Sequence, residues 1–142
     1  MCWIGPRIEH RAAEDIVTFK LLYRDSNTHQ LYSFYRRFEY KLNTLYKCIL
    51  GISSSYGKNY IRINKGFHSY SERCRIKKSN VFYYGVLAPD TWMYLESVRY
   101  SDDLIFIKTI IPKGSIYYQT EYGEVVSNQI ILLEEWKGEV LE

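Results

Sequence analysis

Long apolar runs are missing from this chain of 142 residues. No stretch approaches the ~20 residues a helix needs to cross a bilayer, and the longest, Leu104 to Ile111, is interrupted by Lys108 and Thr109. Cysteine is scarce. Cys2, Cys48 and Cys74 are odd in number and widely spaced, which excludes a fully paired disulfide framework within one chain and matches no familiar zinc spacing. His10, His29 and His68 are equally scattered, so no metal site and no bound cofactor are expected. The segment Met1-Cys2-Trp3-Ile4-Gly5-Pro6 lacks the basic region and apolar stretch of a secretory signal. These absences lead to the expectation of a cytoplasmic protein with no membrane partner.

What is present fits a folded chain. A hydrophobic content of 46% and a charged content of 25% are ordinary for a globular protein, and the length suits a single domain spanning 1–142. Tyrosine is abundant: fifteen, with six Phe and three Trp. Its flat apolar ring and polar tip suit both sheet packing and pockets for flat, polar ligands. The net charge is only +3, but it is unevenly spread. Between 58 and 78 stand Lys58, Arg62, Lys65, Arg73, Arg75, Lys77 and Lys78 against Glu72 alone, whereas 119–142 carries six acids against Lys137. Such asymmetry either focuses a positive field on part of the surface or marks a solvated basic helix.

The pattern along the chain predicts an α+β domain, predominantly antiparallel, with one or two short helices. Ile16 to Tyr23 is β-branched and aromatic and reads as a first strand after a polar or short helical lead. Asp25-Ser26-Asn27-Thr28 is turn chemistry. Phe34 to Tyr46 alternates as one strand with a solvated face, and Gly51 to Gly57 reads as loop. Leu104 to Ile111 reads as a central strand ended by Pro112 and Gly114. Ile116 to Gln119 and Glu124 to Val126 flank a Tyr122-Gly123 turn as a hairpin, and Ile130 to Glu134 forms a last strand. Asn80 to Val86 is expected to be extended, and Pro89 to Val98 to open a short helix.

The densest signal lies between Ile61 and Glu72. Ile61 and Ile63 alternate with Arg62 and Asn64 as a strand, and Gly66 permits a turn. Ser69 followed three residues later by Glu72 is the spacing of a capping box, so a helix is expected over roughly 69–78. His68, Lys65 and Arg62 would then sit by the positive end of that helix, where anions are favoured. His68 either contacts phosphate or ribose hydroxyls there or simply packs at a strand end. The candidate ligand-binding residues are therefore Arg62, Lys65, His68 and Lys113 for phosphates, Ser69 at the junction, and the rings of Tyr70, Tyr84 and Tyr117 for stacking on a base. Extended nucleic acid is not expected, because the net charge is small and the acidic last quarter would repel phosphates. The partner this pattern fits is a small nucleotide-like or phosphorylated molecule, bound without catalysis.

Ala13-Glu14-Asp15-Ile16-Val17, Lys65-Gly66-Phe67-His68-Ser69-Tyr70, Ile111-Pro112-Lys113-Gly114-Ser115 with Tyr117-Tyr118, and Gly123-Glu124-Val125-Val126-Ser127 together resemble a group of small proteins encoded by bacteriophages and their bacterial hosts. That resemblance implies a counter-defence setting in the host cytoplasm. There the protein would act as a sponge for a host immune signal, such as a cyclic oligonucleotide or an ADP-ribose derivative. Gly66-Phe67-His68-Ser69 is also similar to a strand end of the ADP-ribosyltransferase-like fold. This second likeness implies an alternative, an enzyme using NAD with His68, Tyr83 or Tyr84, and Glu124 or Glu134. A third alternative is an interaction module that masks a host protein through tyrosine-rich surface. Homo-oligomerisation is compatible with all three.

Overall fold

The computed structural model describes residues 3–33, 38–71, 104–121 and 123–135. Every regular element among them is a strand: β1 (Trp3–Pro6), β2 (His10–Arg11), β3 (Ile16–Arg24), β4 (Leu31–Tyr32), β5 (Glu39–Tyr40), β6 (Leu45–Lys47), β7 (Gly51–Tyr56), β8 (Tyr60–Lys65), β9 (Phe67–Tyr70), β10 (Leu104–Ile111), β11 (Ile116–Gln119), β12 (Glu124–Ser127) and β13 (Gln129–Glu135). This corrects the α+β expectation: the described part is a β-sheet domain without helix. With no helix among the described residues, none is long and apolar enough to cross a membrane.

The capping-box reading fails for a physical reason. Ser69 lies inside β9, fully buried and opposite Val125 of β12, so its backbone belongs to a ladder and cannot start a helix. A three-residue spacing is a local signal, and the pairing of Phe67–Tyr70 with Glu124–Ser127 overrides it. Glu72, the rest of that predicted helix, the 80–86 segment and the 89–98 helix lie outside the described residues. The lead before β3 is two strands and not a helix. Of the stretch 51–57, expected as loop, residues 51–56 form an edge strand and Gly57 begins the turn after it. Of the single strand expected over 34–46, residues 34–37 lie outside the described residues, and the remainder is divided into β5 and β6 by a turn at Asn43, whose φ of 57° is a left-handed value that Asn accepts.

Two sheets result. The small one has the order β1-β8-β7, and the large one runs β2-β11-β12-β9-β3-β10-β13-β6, with β4 attached to β3 and β5 to β4. β10 is central as predicted, paired with β3 along its whole length and with β13 through a bulge at Lys108/Thr109. The β11–β12 hairpin and β13 also form where the alternation placed them. The chain passes from small sheet to large at Gly66, between β8 and β9. A Cβ there would stand 2.5 Å from Val126 Cγ2 and 2.8 Å from Leu50 Cδ2, so a larger residue at this crossing would have to displace both side chains.

Each sheet closes a core of its own. Trp3, Ile61, Ile63, Tyr118 and Val126 pack together between the small sheet and β11–β12. Leu22, Leu31, Tyr40, Phe67, Ile105, Ile107, Ile130 and Leu132 form the second core on the large sheet. Within the large sheet Thr18 and Thr109 face each other across β3 and β10, both fully buried, their hydroxyls 2.6 Å apart. Thr109→Val should destabilise the fold by about 1–3 kcal/mol, because it leaves the Thr18 hydroxyl buried without its partner. The Thr18→Val/Thr109→Val double variant should recover most of that loss. Urea denaturation of the four proteins checks this, and equal, additive losses would refute it.

Candidate functional site

β3 is the strand that creates the site. One of its edges is fully occupied by β10. Its other edge is shared: β9 meets it at the single pair Phe19↔Tyr70, and β4 meets it at Tyr23 and Arg24. Between these contacts, at Lys20, Leu21 and Leu22, no described strand pairs on that side. β9 diverges there, and a cavity of about 650 Å³ fills the gap, lined by Lys20, Leu21 and Leu22 on one wall and Gly66, Phe67, His68 and Tyr70 on the other. That volume lies within the range of small-molecule sites.

The lining combines cations with rings. Lys20, Lys47 and Lys65 contribute ammonium groups, and Phe38, Tyr40, Tyr46, Phe67 and Tyr70 contribute aromatic faces. Ser33, Asn64, His68 and Cys48 complete the wall, and no Asp or Glu lines it among the described residues. The rings brace one another: Tyr40 and Tyr46 meet edge to face at 5.3 Å, Phe38 lies 4.7 Å from Tyr40, and Tyr46 lies 6.4 Å from Phe67. The Tyr46 hydroxyl accepts from the Lys41 amide at 2.8 Å, which fixes the ring.

Lys20 is the unusual member. It is buried, its Nζ donates to the carbonyl oxygen of His68 at 2.5 Å, and the same Nζ stands 5.4 Å from the centre of the Tyr40 ring. The bond spans the divergence of β3 and β9. Removal from water disfavours the ammonium and lowers Lys20 to about 8. His68 is half-buried, with Nδ1 wholly covered and without a hydrogen-bond partner among the described residues. Burial first, and the charge of Lys20 second, push His68 down to about 3, so the imidazole is neutral at physiological pH. It offers a hydrogen bond and no charge. Burial, then the nearby Tyr46 and Cys48, holds the Tyr40 phenol well above its usual range. Burial also raises the Cys48 thiol, against a smaller opposite pull from Lys65.

Of the residues singled out from sequence, Lys65, His68 and Tyr70 line this cavity. Ser69 does not line the cavity, and its buried hydroxyl has no partner among the described residues. Arg62 is half-buried on β8 between Ile4 and Ser54 and does not line the cavity. Lys113 stands in the exposed turn after β10, its amide donating to Asp15 Oδ1 at 2.8 Å. Tyr117 stacks on His10 at 5.0 Å beside β2, away from the cavity lining. Tyr83 and Tyr84 lie outside the described residues. The two acids of the NAD reading do not join His68: Glu124 is buried on β12 and Glu134 is exposed on β13, and neither lines the cavity.

Sequence reasoning missed Lys20, Lys47, Phe38, Tyr40, Tyr46 and Phe67. One signal was readable: in Thr18-Phe19-Lys20-Leu21-Leu22 a lysine occupies the same strand face as buried Thr18 and Leu22. No protein-family model, no curated protein and no solved structure matches this chain.

Proposed function

We propose that this protein binds a small, flat, anionic molecule, nucleotide-like or phosphorylated, in the cavity between β3 and β9, without acting on it. The carrying observation is that three lysines and five aromatic rings share that cavity while no carboxylate lines it among the described residues. Ammonium groups in a part-buried site hold phosphate oxygens through charge-assisted hydrogen bonds, and rings braced edge to face offer stacking surface without further ordering. The neutral imidazole of His68 adds an uncharged polar group to the wall beside these cations. In the phage setting that the sequence resemblance implies, such capture would remove a host signal of the cyclic oligonucleotide or ADP-ribose class from circulation.

Calorimetry against a panel of cyclic oligonucleotides, ADP-ribose and mononucleotides tests this reading. Binding should weaken about tenfold to a hundredfold in Lys20→Met, which removes a desolvated charge-assisted contact. Lys65→Met should weaken it only a few-fold, because Lys65 is exposed and its field is screened by salt. Affinity should also decline as pH rises through about 8, where Lys20 loses its proton. Absence of heat with every member of the panel at millimolar concentration would remove the proposal.

A further inference from the structure

We propose that Lys20 holds its ligand covalently, its Nζ condensing with the carbonyl carbon of a flat phosphorylated aldehyde seated in the β3–β9 cavity. This inference rests on the reading of that cavity as a site for small aromatic anions, and it narrows the chemical class.

Three observations support it. Lys20 is buried, whereas Lys47 and Lys65, which line the same cavity, are exposed. Burial favours the free amine, and only the free amine can react with a carbonyl carbon. The partner of Nζ is a backbone carbonyl oxygen, His68 O, and no carboxylate among the described residues pairs with Lys20 or lines the cavity to hold it protonated. Finally, the amine lies beside the Tyr40 ring, within the cluster where a flat ligand would stack. With Lys20 lowered to about 8, roughly one molecule in ten carries the neutral amine at pH 7, against fewer than about one in a thousand for an ordinary lysine.

The chemistry balances without a further reagent. The lone pair of neutral Nζ forms the N–C bond as the carbonyl electron pair moves to oxygen. That oxygen then leaves as water, carrying the two protons of the amine, and a C=N bond remains. No electrons are gained or lost overall. Lys47 and Lys65 supply the positive field for the phosphate.

The test uses the full chain with pyridoxal 5′-phosphate as the aldehyde, followed by borohydride reduction and peptide mass mapping. Pyridoxine 5′-phosphate, with the same ring and phosphate but no carbonyl, reports non-covalent binding by calorimetry. The expected result is one dominant reduced adduct, at Lys20, formed about tenfold faster than at Lys47 or Lys65. The imine absorbance should vanish in both Lys20→Met and Lys20→Arg, the latter keeping the charge, with circular dichroism confirming the sheet. Binding of pyridoxine 5′-phosphate together with no adduct at Lys20, or with adducts spread evenly over the exposed lysines, overturns the covalent inference and leaves the cavity reading standing. Failure of both ligands to bind overturns the covalent inference, and the cavity reading falls with it only if the nucleotide panel gives no heat either.

Discussion

Trp3→Ala is expected to destabilise the protein by about 3–5 kcal/mol, a large part of the roughly 5–15 kcal/mol that holds a domain of this size. Trp3 is fully buried in β1, and it is the largest side chain of the core between the small sheet and β11–β12. Its ring lies 6.0 Å from that of Tyr118, and its Nε1 donates to the Glu124 carbonyl at 3.3 Å. Gly5 presses on the ring from the same strand, so closely that a Cβ at Gly5 would lie 2.5 Å from it. Truncation would therefore leave a void ringed by strand backbone that cannot collapse, and would remove one of the two donors to the Glu124 carbonyl, the other being the Thr120 amide. Because Trp3 pairs with Ile63 of β8, the loss would also loosen the strand that leads through Gly66 into the cavity wall. Guanidinium denaturation followed by circular dichroism measures the change; a shift below about 1 kcal/mol would mean that this core is not what joins the two sheets.

The second large effect is a dependence on pH set by Glu124. This carboxyl is 7% exposed, opposite Tyr70 in the ladder, with no cation paired to it among the described residues. Burial raises it from 4.5 to about 8. Between those values the folded chain keeps a proton that the unfolded chain has released, so stability falls as pH rises through that window. His68 has the opposite sign: lowered from 6.5 to about 3, it makes stability rise with pH between those two values. The two effects oppose each other from about 4.5 to 6.5. Lys20, lowered from 10.5 to about 8, makes stability rise with pH only above 8. From pH 6.5 to 8 Glu124 therefore acts without opposition from these groups, and stability should drop by up to about 1.4 kcal/mol per pH unit. Glu124→Gln keeps the shape and removes the charge. Its thermal midpoint should be nearly level across that interval and above the parent's at pH 8; a variant with the parent's slope would show that the carboxyl is solvated after all.

Sequence disclosed the strands whose pattern is internally complete. β3 and β10 are dense in β-branched and aromatic residues, and the turn after β10 is marked by Pro112 and Gly114, the latter at φ 87°. The β11–β12 hairpin is marked by Gly123 at φ 93°. What stayed hidden depends on partners distant in sequence. β1 reads as a short lead until β8 is beside it, and β7 reads as loop until the same strand pairs with its other edge. Ser69 resembles a cap until Val125 is seen opposite. The site was found in part for the same reason. Its β9 residues stood out because a glycine and a histidine are conspicuous, while Tyr40 and Tyr46 looked like ordinary sheet tyrosines and only the fold of β4–β6 brings them over Lys20. The basic run from 58 to 78 drew attention to charge that is counted easily along the chain. The cation buried in the cavity wall is a solitary lysine in an apolar strand.

The lone rung between Phe19 and Tyr70 has a mechanical meaning. It is where the block β2-β11-β12-β9 is joined to the block β3-β10-β13-β6, and one rung resists twisting far less than the eight-residue register between β3 and β10. A ligand bound there as proposed would touch His68 and Tyr70 on one block and Lys20 and Tyr46 on the other, and would act as a rivet across the joint. Under that proposal the filled molecule would be stiffer across this joint than the empty one.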